Sequence, residues 1–266
     1  MTPKGVILAA GMGSRRAPIT PFIPKEMLPI RGFPVIHHAL CELAGVGVSD
    51  VMIVLSSGKG SILSYLGGSV TAKGADATRL CRKREDLLSG LRIVFAEQKQ
   101  LLGTADAILL AEDFAGDDPI VVLYPDDLLT VDGVYSDGIE ATRALVRITD
   151  ETGCSAVLTE EISGEKARDY GVLTLREQGG SRLVDGIVEK PQNYRGATAH
   201  VLIGRMVLTP QVMRSIRDFD RTDASGIIPV LEREAARNAL YALPYHGRRY
   251  DVGSHEGYAS TLRALT

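Results

Sequence analysis

The run Val6–Ala10 constrains this chain most, because it is continuously apolar, stops at Gly11 and Gly13, and opens into a proline-containing loop that lasts to Pro29. A short apolar run closed by glycine reads as a strand buried on both faces. Val35–Ala44 then carries helical spacing, and Val51–Leu55 is a β-branched run bounded by Asp50 and Ser56. Strand, loop, helix, strand is the order that builds a parallel sheet with helices on its faces. Leu91–Ala96 and Ile120–Tyr124 extend the series, with Ala105–Leu110 as a crossover helix, so a Rossmann-like pattern continues to about Asp127. Beyond it, Ser155–Thr159, Gly171–Leu175, Val184–Glu189 and Ala199–Leu208 read as strands joined by Gly-rich turns. They predict an antiparallel extension of the same sheet. Pro210–Arg217 and Ile228–Arg237 read as helices, Tyr241–Asp251 as one last strand, and the chain closes on a helix from Glu256. The expected fold is α/β: a Rossmann-like three-layer sandwich with a mixed, mainly parallel central sheet, in one domain over residues 1–266.

The loop after the first strand is the candidate site. Two glycines let backbone N–H groups approach an anion, and Arg15 and Lys25 bring positive charge to the same loop. The string GMGSRR lacks the third glycine of a dinucleotide fingerprint and the Gly-Lys-Ser/Thr of a P-loop. Taken alone, a GxG after a strand is also a plain tight turn. Composition limits the partners. With 30 basic against 33 acidic residues and a net charge of −3, the chain has no general electrostatic grip on nucleic acid or an anionic membrane. Phosphate binding must be local. The absence of Trp leaves little for a base-stacking platform, and no apolar run approaches the roughly 20 residues of a spanning helix. The expectation is a cytoplasmic protein that binds neither nucleic acid nor membrane. Cys41, Cys81 and Cys154 are odd in number and widely spaced, as reduced thiols rather than a disulfide or zinc framework. His37 and His38 are adjacent, so on a helix they point about 100° apart and cannot form an i, i+4 metal pair. They read as structural. The cluster Arg79, Arg82, Lys83, Arg84 reads as a solvated helix face.

Residues 8–20, followed by Pro24-Lys25, resemble the sugar-1-phosphate nucleotidyltransferases, whose opening signature is LAAGxGTRxxPxT and then PK. Further islands come in that family's order: Glu97-Gln98 before LLGTADA, then LYPDD, YGV, VEKP, IGR and YDVG. The longer string PKEMLPI is most similar to the bacterial uridylyltransferases that act on UTP and glucose 1-phosphate, and the resemblance spans about Gly5 to Tyr258. It implies the nucleotide-diphospho-sugar transferase type of fold, with residues 1–127 as a nucleotide-binding half and 128–266 as a sugar-phosphate-binding half. It also implies a homodimer or homotetramer.

The resemblance assigns roles residue by residue. Arg15 and Lys25 would be catalytic, holding the leaving pyrophosphate and stabilising charge on the reacting phosphates. Ala10, Gly11, Gln98 and Gly103 would bind the nucleotide. The Gln amide both donates and accepts, which suits uracil or thymine. Gly171, Glu189 and Lys190 would bind the sugar phosphate, through close backbone approach, sugar hydroxyls and a point charge. Mg²⁺, a hard cation that prefers oxygen ligands, would sit on Asp126 and Asp251. Asp126 follows a strand at the edge where open α/β sheets bind ligands. Asp126 and Asp127 also read as ordinary turn formers after a strand. The implied reaction is in-line attack of a sugar 1-phosphate on the α-phosphorus of UTP.

The chain departs from the family in three places. TDASGIIPVLEREA from Thr222 stands where a GDEIQLTDA-like segment is usual, DVGSHEGY replaces DCGNKLGY, and Pro21-Phe22 replaces Lys-Ala. Three alternatives stay open at this point: a transferase for dTTP or another sugar phosphate, a non-catalytic nucleotide-sugar sensor, and a dehydrogenase on a similar strand-loop-helix start.

Overall fold

The computed structural model describes residues 3–70, 72–130, 136–178, 181–219 and 226–265. The first strand, β1 (Lys4–Leu8), leads through the glycine loop to a small hairpin, β2 (Pro29–Ile30) and β3 (Phe33–Pro34), and into α1 (Val35–Val46). Next come β4 (Asp50–Leu55), α2 (Gly60–Gly67), α3 (Ala75–Ser89), β5 (Arg92–Glu97), α4 (Thr104–Leu109), α5 (Glu112–Ala115) and β6 (Ile120–Leu123). The second half contains β7 (Asp127–Thr130), α6 (Ser136–Thr152), β8 (Ser155–Ser163), β9 (Gly171–Gln178), β10 (Ser181–Glu189) and β11 (Thr198–Leu208). It ends with α7 (Pro210–Arg217), α8 (Ile228–Ala236), β12 (Leu240–Pro244), β13 (Arg248–Asp251) and α9 (His255–Leu265).

The central sheet has nine strands in the order β5-β4-β1-β6-β11-β8-β12-β10-β9. Pairing directions leave β11 and β10 running against the other strands, so the sheet is mixed and mainly parallel as expected. Alternation makes the sandwich. Val6, Val54 and Val122 pack on one face with α4, α7 and α8, while Ile7, Ile53 and Val121 pack on the other with α1 and α6. Each such buried branched side chain contributes ~1.5–3 kcal/mol relative to exposure.

Two expectations need correction. Tyr241–Asp251 is two strands: Pro244 has no N–H to continue the ladder, and after Gly247 the chain enters β13, which pairs with β7 outside the main sheet. The four strands expected as an antiparallel extension do pair antiparallel among themselves, and β12 joins them parallel to β8. Arg84 is not solvated: it is buried, donating to the carbonyls of Tyr65 and Gly68 and lying over the Tyr65 ring, while Arg79, Arg82 and Lys83 face solvent. Of the divergent stretch 222–235, residues 222–225 lie outside the described residues, and most of the rest forms the start of α8. Among the described residues the cysteines are free, and no helix is long and apolar enough to cross a membrane.

Candidate active site

Because β1, β4, β5 and β6 are parallel, the loops that follow them all leave from one edge of the sheet. The first half of β11 runs past the end of β6 and pairs with β9, which brings the β9–β10 hairpin to that edge. Two adjoining cavities of about 430 and 400 Å³ lie there, and Arg15, Gly103, Thr104, Tyr124 and Asp126 line both. The smaller cavity also takes Ala10, Gly11, Lys25 and Gln98; the larger takes Gly171, Glu189, Lys190 and Asp251. Every residue to which the resemblance assigns a catalytic, nucleotide, sugar-phosphate or metal role therefore borders one or both of these adjoining cavities.

The glycine loop is built to leave amides free. Gly13 has φ +65°, a left-handed conformation that glycine adopts without penalty, and a Cβ there would stand 2.9 Å from Thr20. Ser56 donates to the Ala10 carbonyl at 2.7 Å and Lys59 to the Gly11 carbonyl at 2.9 Å. Among the described residues, nothing accepts from the N–H groups of Gly11, Met12 and Gly13. Unpaired amides in succession form an anion cradle. The two adjacent arginines divide their work. Arg16 is 1% exposed, donates to the carbonyls of Val252 and Ser254, and lies over the Tyr258 ring. It staples the loop to the segment after Asp251. Arg15 stays in the cavity, with its side chain 69% exposed and Nη1 4.0 Å from Asp251.

At the junction of the cavities Lys25 Nζ donates to Asp126 Oδ2 at 2.6 Å, and both side chains are largely buried. Burial disfavours both charges, but each offsets it for the other: Lys25 is held above its usual range and Asp126 below. Asp251 is brought beside this pair by tertiary structure alone. The β7–β13 ribbon sets Asp251 opposite Asp127, and Val252 donates to the Asp126 carbonyl at 2.8 Å. Burial raises the Asp251 carboxyl above its usual range, and the charges of Asp127 and Asp126 raise it further. A Cβ at Gly253 would lie 2.6 Å from Asp126 Oδ2 and 2.9 Å from Asp251 Oδ1. The two carboxylates thus flank a point that only glycine leaves open. Paired hard oxygens that repel one another suit a divalent cation, with further ligands left to phosphate or water; among the described residues no third His, Cys, Asp or Glu joins them.

Several structural partners of the site were given no role by the sequence, although Arg205, Asp127 and Glu26 lie within the IGR, LYPDD and PKEMLPI strings. Glu42 on α1 and Arg205 on β11 form a buried bidentate pair at 2.7 and 2.8 Å. Arg205 also donates to the carbonyls of Tyr124 and Asp127, fixing both ends of the turn that carries Asp126. It can do so because the β11 ladder with β8 skips from Leu202–Thr159 to Met206–Val157, a bulge that re-aims the side chain. Asp127 accepts from the Gly204 N–H at 2.8 Å and from Arg249 at 3.0 Å, and Arg249 further binds Glu160 and the Tyr170 hydroxyl. Lys59 pairs with the buried Glu26 at 2.7 Å, next in chain to Lys25. Burial pushes Tyr124 up to about 12, so it stays a neutral phenol facing both cavities. In the larger cavity Gly171 is opposite Glu189 in the β9–β10 ladder, and a Cβ at Gly171 would meet Glu189 Oε2 at 3.3 Å. Lys190 pairs with Glu189 at 2.9 Å and is half exposed. His37 stacks on Phe33 and binds the Tyr65 hydroxyl, while His38 binds the Ile30 carbonyl, away from the cavities.

Comparison with known proteins bears on the chain as a whole. The chain is 32% identical, over 98% of its length and 96% of the relative, to a Bacillus subtilis (strain 168) protein with the provisional name UTP–glucose-1-phosphate uridylyltransferase. It is 31% identical to the UTP–glucose-1-phosphate uridylyltransferase of Staphylococcus epidermidis, covering 97% of this chain and 90% of that one. A UDP-glucose pyrophosphorylase crystallised with UDP-glucose superposes with a TM-score of 0.87 at 29% identity, over 99% of this chain and 98% of the other. With the nucleotidyl transferase family model matching residues 4–266, the free-amide loop and the Lys25–Asp126–Asp251 junction belong to a member of the nucleotidyl transferase family.

Proposed function

We propose that the chain transfers a uridylyl group from UTP to glucose 1-phosphate, releasing pyrophosphate and leaving UDP-glucose. The observation that carries this reading is the joining of two cavities at Arg15 and Asp126, with Lys25 paired to Asp126, one cavity reached by the glycine loop and Gln98, the other by Glu189 and Lys190. One substrate fits each side, and the reacting phosphates meet at the junction. Residues 1–127 supply the whole lining of the smaller cavity, which supports their role as the nucleotide half, with 128–266 serving the sugar phosphate. The relatives named for this reaction support the choice of substrates.

Each residue then has a physical task. The free amides of Gly11 to Gly13 and the Arg15 guanidinium receive the pyrophosphate that leaves. Lys25, already aligned on Asp126, meets the charge that builds on the transferred phosphate. Ala10, Gly11, Gln98 and Gly103 bind the nucleoside. Gly171 lets the sugar lie against the backbone, Glu189 accepts from its hydroxyls, and Lys190 swings from Glu189 to hold its phosphate in line. Asp126 and Asp251 would hold Mg²⁺, which would supply positive charge against the repulsion between the two phosphates. Positioning and charge suffice for phosphoryl chemistry of this kind, without a covalent intermediate. The test is pyrophosphate release from UTP, dTTP, CTP and ATP with a panel of sugar 1-phosphates, with and without Mg²⁺. UTP with glucose 1-phosphate is expected to be the best pair, and only with the cation. A better rate with dTTP or another sugar replaces the substrate assignment, and release from no pair refutes catalysis.

A further inference from the structure

We propose that Asp106 sets the base preference of the nucleotide cavity, by locking the Gln98 side-chain amide so that only its carbonyl oxygen is offered to the base. The inference rests on the reading of Gln98 as a base contact. Gln98 follows β5, is 5% exposed and borders the cavity. Its Nε2 donates to the Gly103 carbonyl at 2.9 Å and to Asp106 Oδ2 at 2.9 Å. Both partners are acceptors only, so the nitrogen and not the oxygen must face them. Two bonds use both of its hydrogens. Oε1 is left for the cavity and receives no hydrogen bond from a described residue.

The two anchors differ in what they cost to keep. Gly103, at φ +97°, caps α4, and its carbonyl also accepts from the Ala107 N–H, so that acceptor comes with the helix. Asp106 in the first turn of α4 is a side-chain choice. Turning Gln98 over would set its oxygen against a carbonyl and a carboxylate at hydrogen-bond distance, which is repulsive twice. Held opposite the ring nitrogen, a fixed acceptor selects a ring N–H over a ring lone pair, and the exocyclic amino group of cytosine lies one atom away from that point. Uracil and thymine present one at N3, whereas cytosine presents a lone pair at N3 and adenine at N1. The lock therefore discriminates UTP from CTP, two bases of equal size, where packing alone discriminates little. No motif in the sequence marks Asp106 for this role; it lies inside the LLGTADA island on the helix that follows the glycine.

Titration calorimetry of UTP and CTP, with Mg²⁺, on the wild type, Asp106→Asn and Asp106→Ala tests it. Asn is isosteric, and its amide satisfies Gln98 in either orientation; Ala satisfies neither. In both variants the ratio of CTP to UTP dissociation constants is expected to fall roughly ten-fold or more, the weight of one hydrogen bond to a charged acceptor. Taking the ratio within one preparation cancels any loss of folded protein. A ratio that stays at the wild-type value, including weaker binding of both nucleotides by one factor, overturns the proposal. So does a wild type that binds CTP as well as UTP. Turnover measured on the same samples separates the two readings: selective UTP binding without pyrophosphate release refutes the proposed reaction and leaves the Asp106 lock standing.

Discussion

Replacing Lys25 by Met removes a charge and nearly preserves volume at the junction of the two cavities. Lys25 and Asp126 are 2.6 Å apart, with side-chain exposures of 15% and 14%, so the variant strands a carboxylate in a site with little water. Breaking a buried pair by removing one partner costs about 3–5 kcal/mol. The sign of its pH dependence follows from which effect then governs Asp126. In the wild type Lys25 holds that carboxyl below its usual range, so its stabilising contribution is present above the unfolded pKa and lost as pH falls through the folded one. Without Lys25 only burial remains as the large effect, and the shift turns upward. The ionised form is then penalised, and the stability deficit grows as pH rises past the carboxylate range. Thermal melts are expected to show a larger Tm difference from wild type near ~pH 7 than near ~pH 4. Mg²⁺ is expected to recover part of the neutral-pH deficit. In pyrophosphate release the loss of a preorganised charge predicts a fall in kcat of ~100- to 1,000-fold. A variant that stays within a few-fold of wild-type turnover, or whose Tm deficit is the same at both pH values, refutes the reasoning.

Gly253→Ala places a methyl 2.6 Å from Asp126 Oδ2 and 2.9 Å from Asp251 Oδ1, so turnover should collapse and the Mg²⁺ concentration for half-maximal rate should rise, both read from a metal titration of pyrophosphate release. Arg15→Met and Arg16→Met should separate the neighbours: the first weakens UTP binding with an unaltered melt, whereas the second loses two buried hydrogen bonds and a ring contact and lowers stability by ~2–4 kcal/mol in urea unfolding. Burial holds His37 and His38 at about 4 against 6.5 when unfolded, so unfolding takes up protons in that window. Stability should therefore fall as pH drops from 6.5 towards 4, by up to ~3 kcal/mol per histidine, with a shallower slope in His37→Phe; a flat profile contradicts their neutral burial.

The periodicity that located Ile120–Tyr124 and Val51–Leu55 succeeded because strands buried on both faces leave little room for polar residues, and it located Ala199–Leu208 despite His200 and Arg205 because the rest of that run is apolar. It joined Tyr241 to Asp251 because both pieces are strands of similar composition, and only their partners, β8 for one and β7 for the other, differ. Arg84 was misread for a related reason. A charge run has no local mark to say which member will find the Tyr65 and Gly68 carbonyls within reach.

The same division holds at the site. The spacing of Gly11, Gly13, Arg15 and Lys25 marked a loop suited to an anion, since free amides and nearby cations are properties of a short segment. The ordered islands then tied that loop to a family. Sequence by itself determined these, because each depends on residues close in the chain or on a series of motifs. Tertiary structure alone decided that Asp251 stands against Asp126 over Gly253, that Arg16 staples while Arg15 reaches into the cavity, and that Glu42 and Arg205 anchor the Asp126 turn. Those facts depend on pairing between segments far apart in the chain, where a side chain's role follows from the burial and charge of the neighbours that folding gives it.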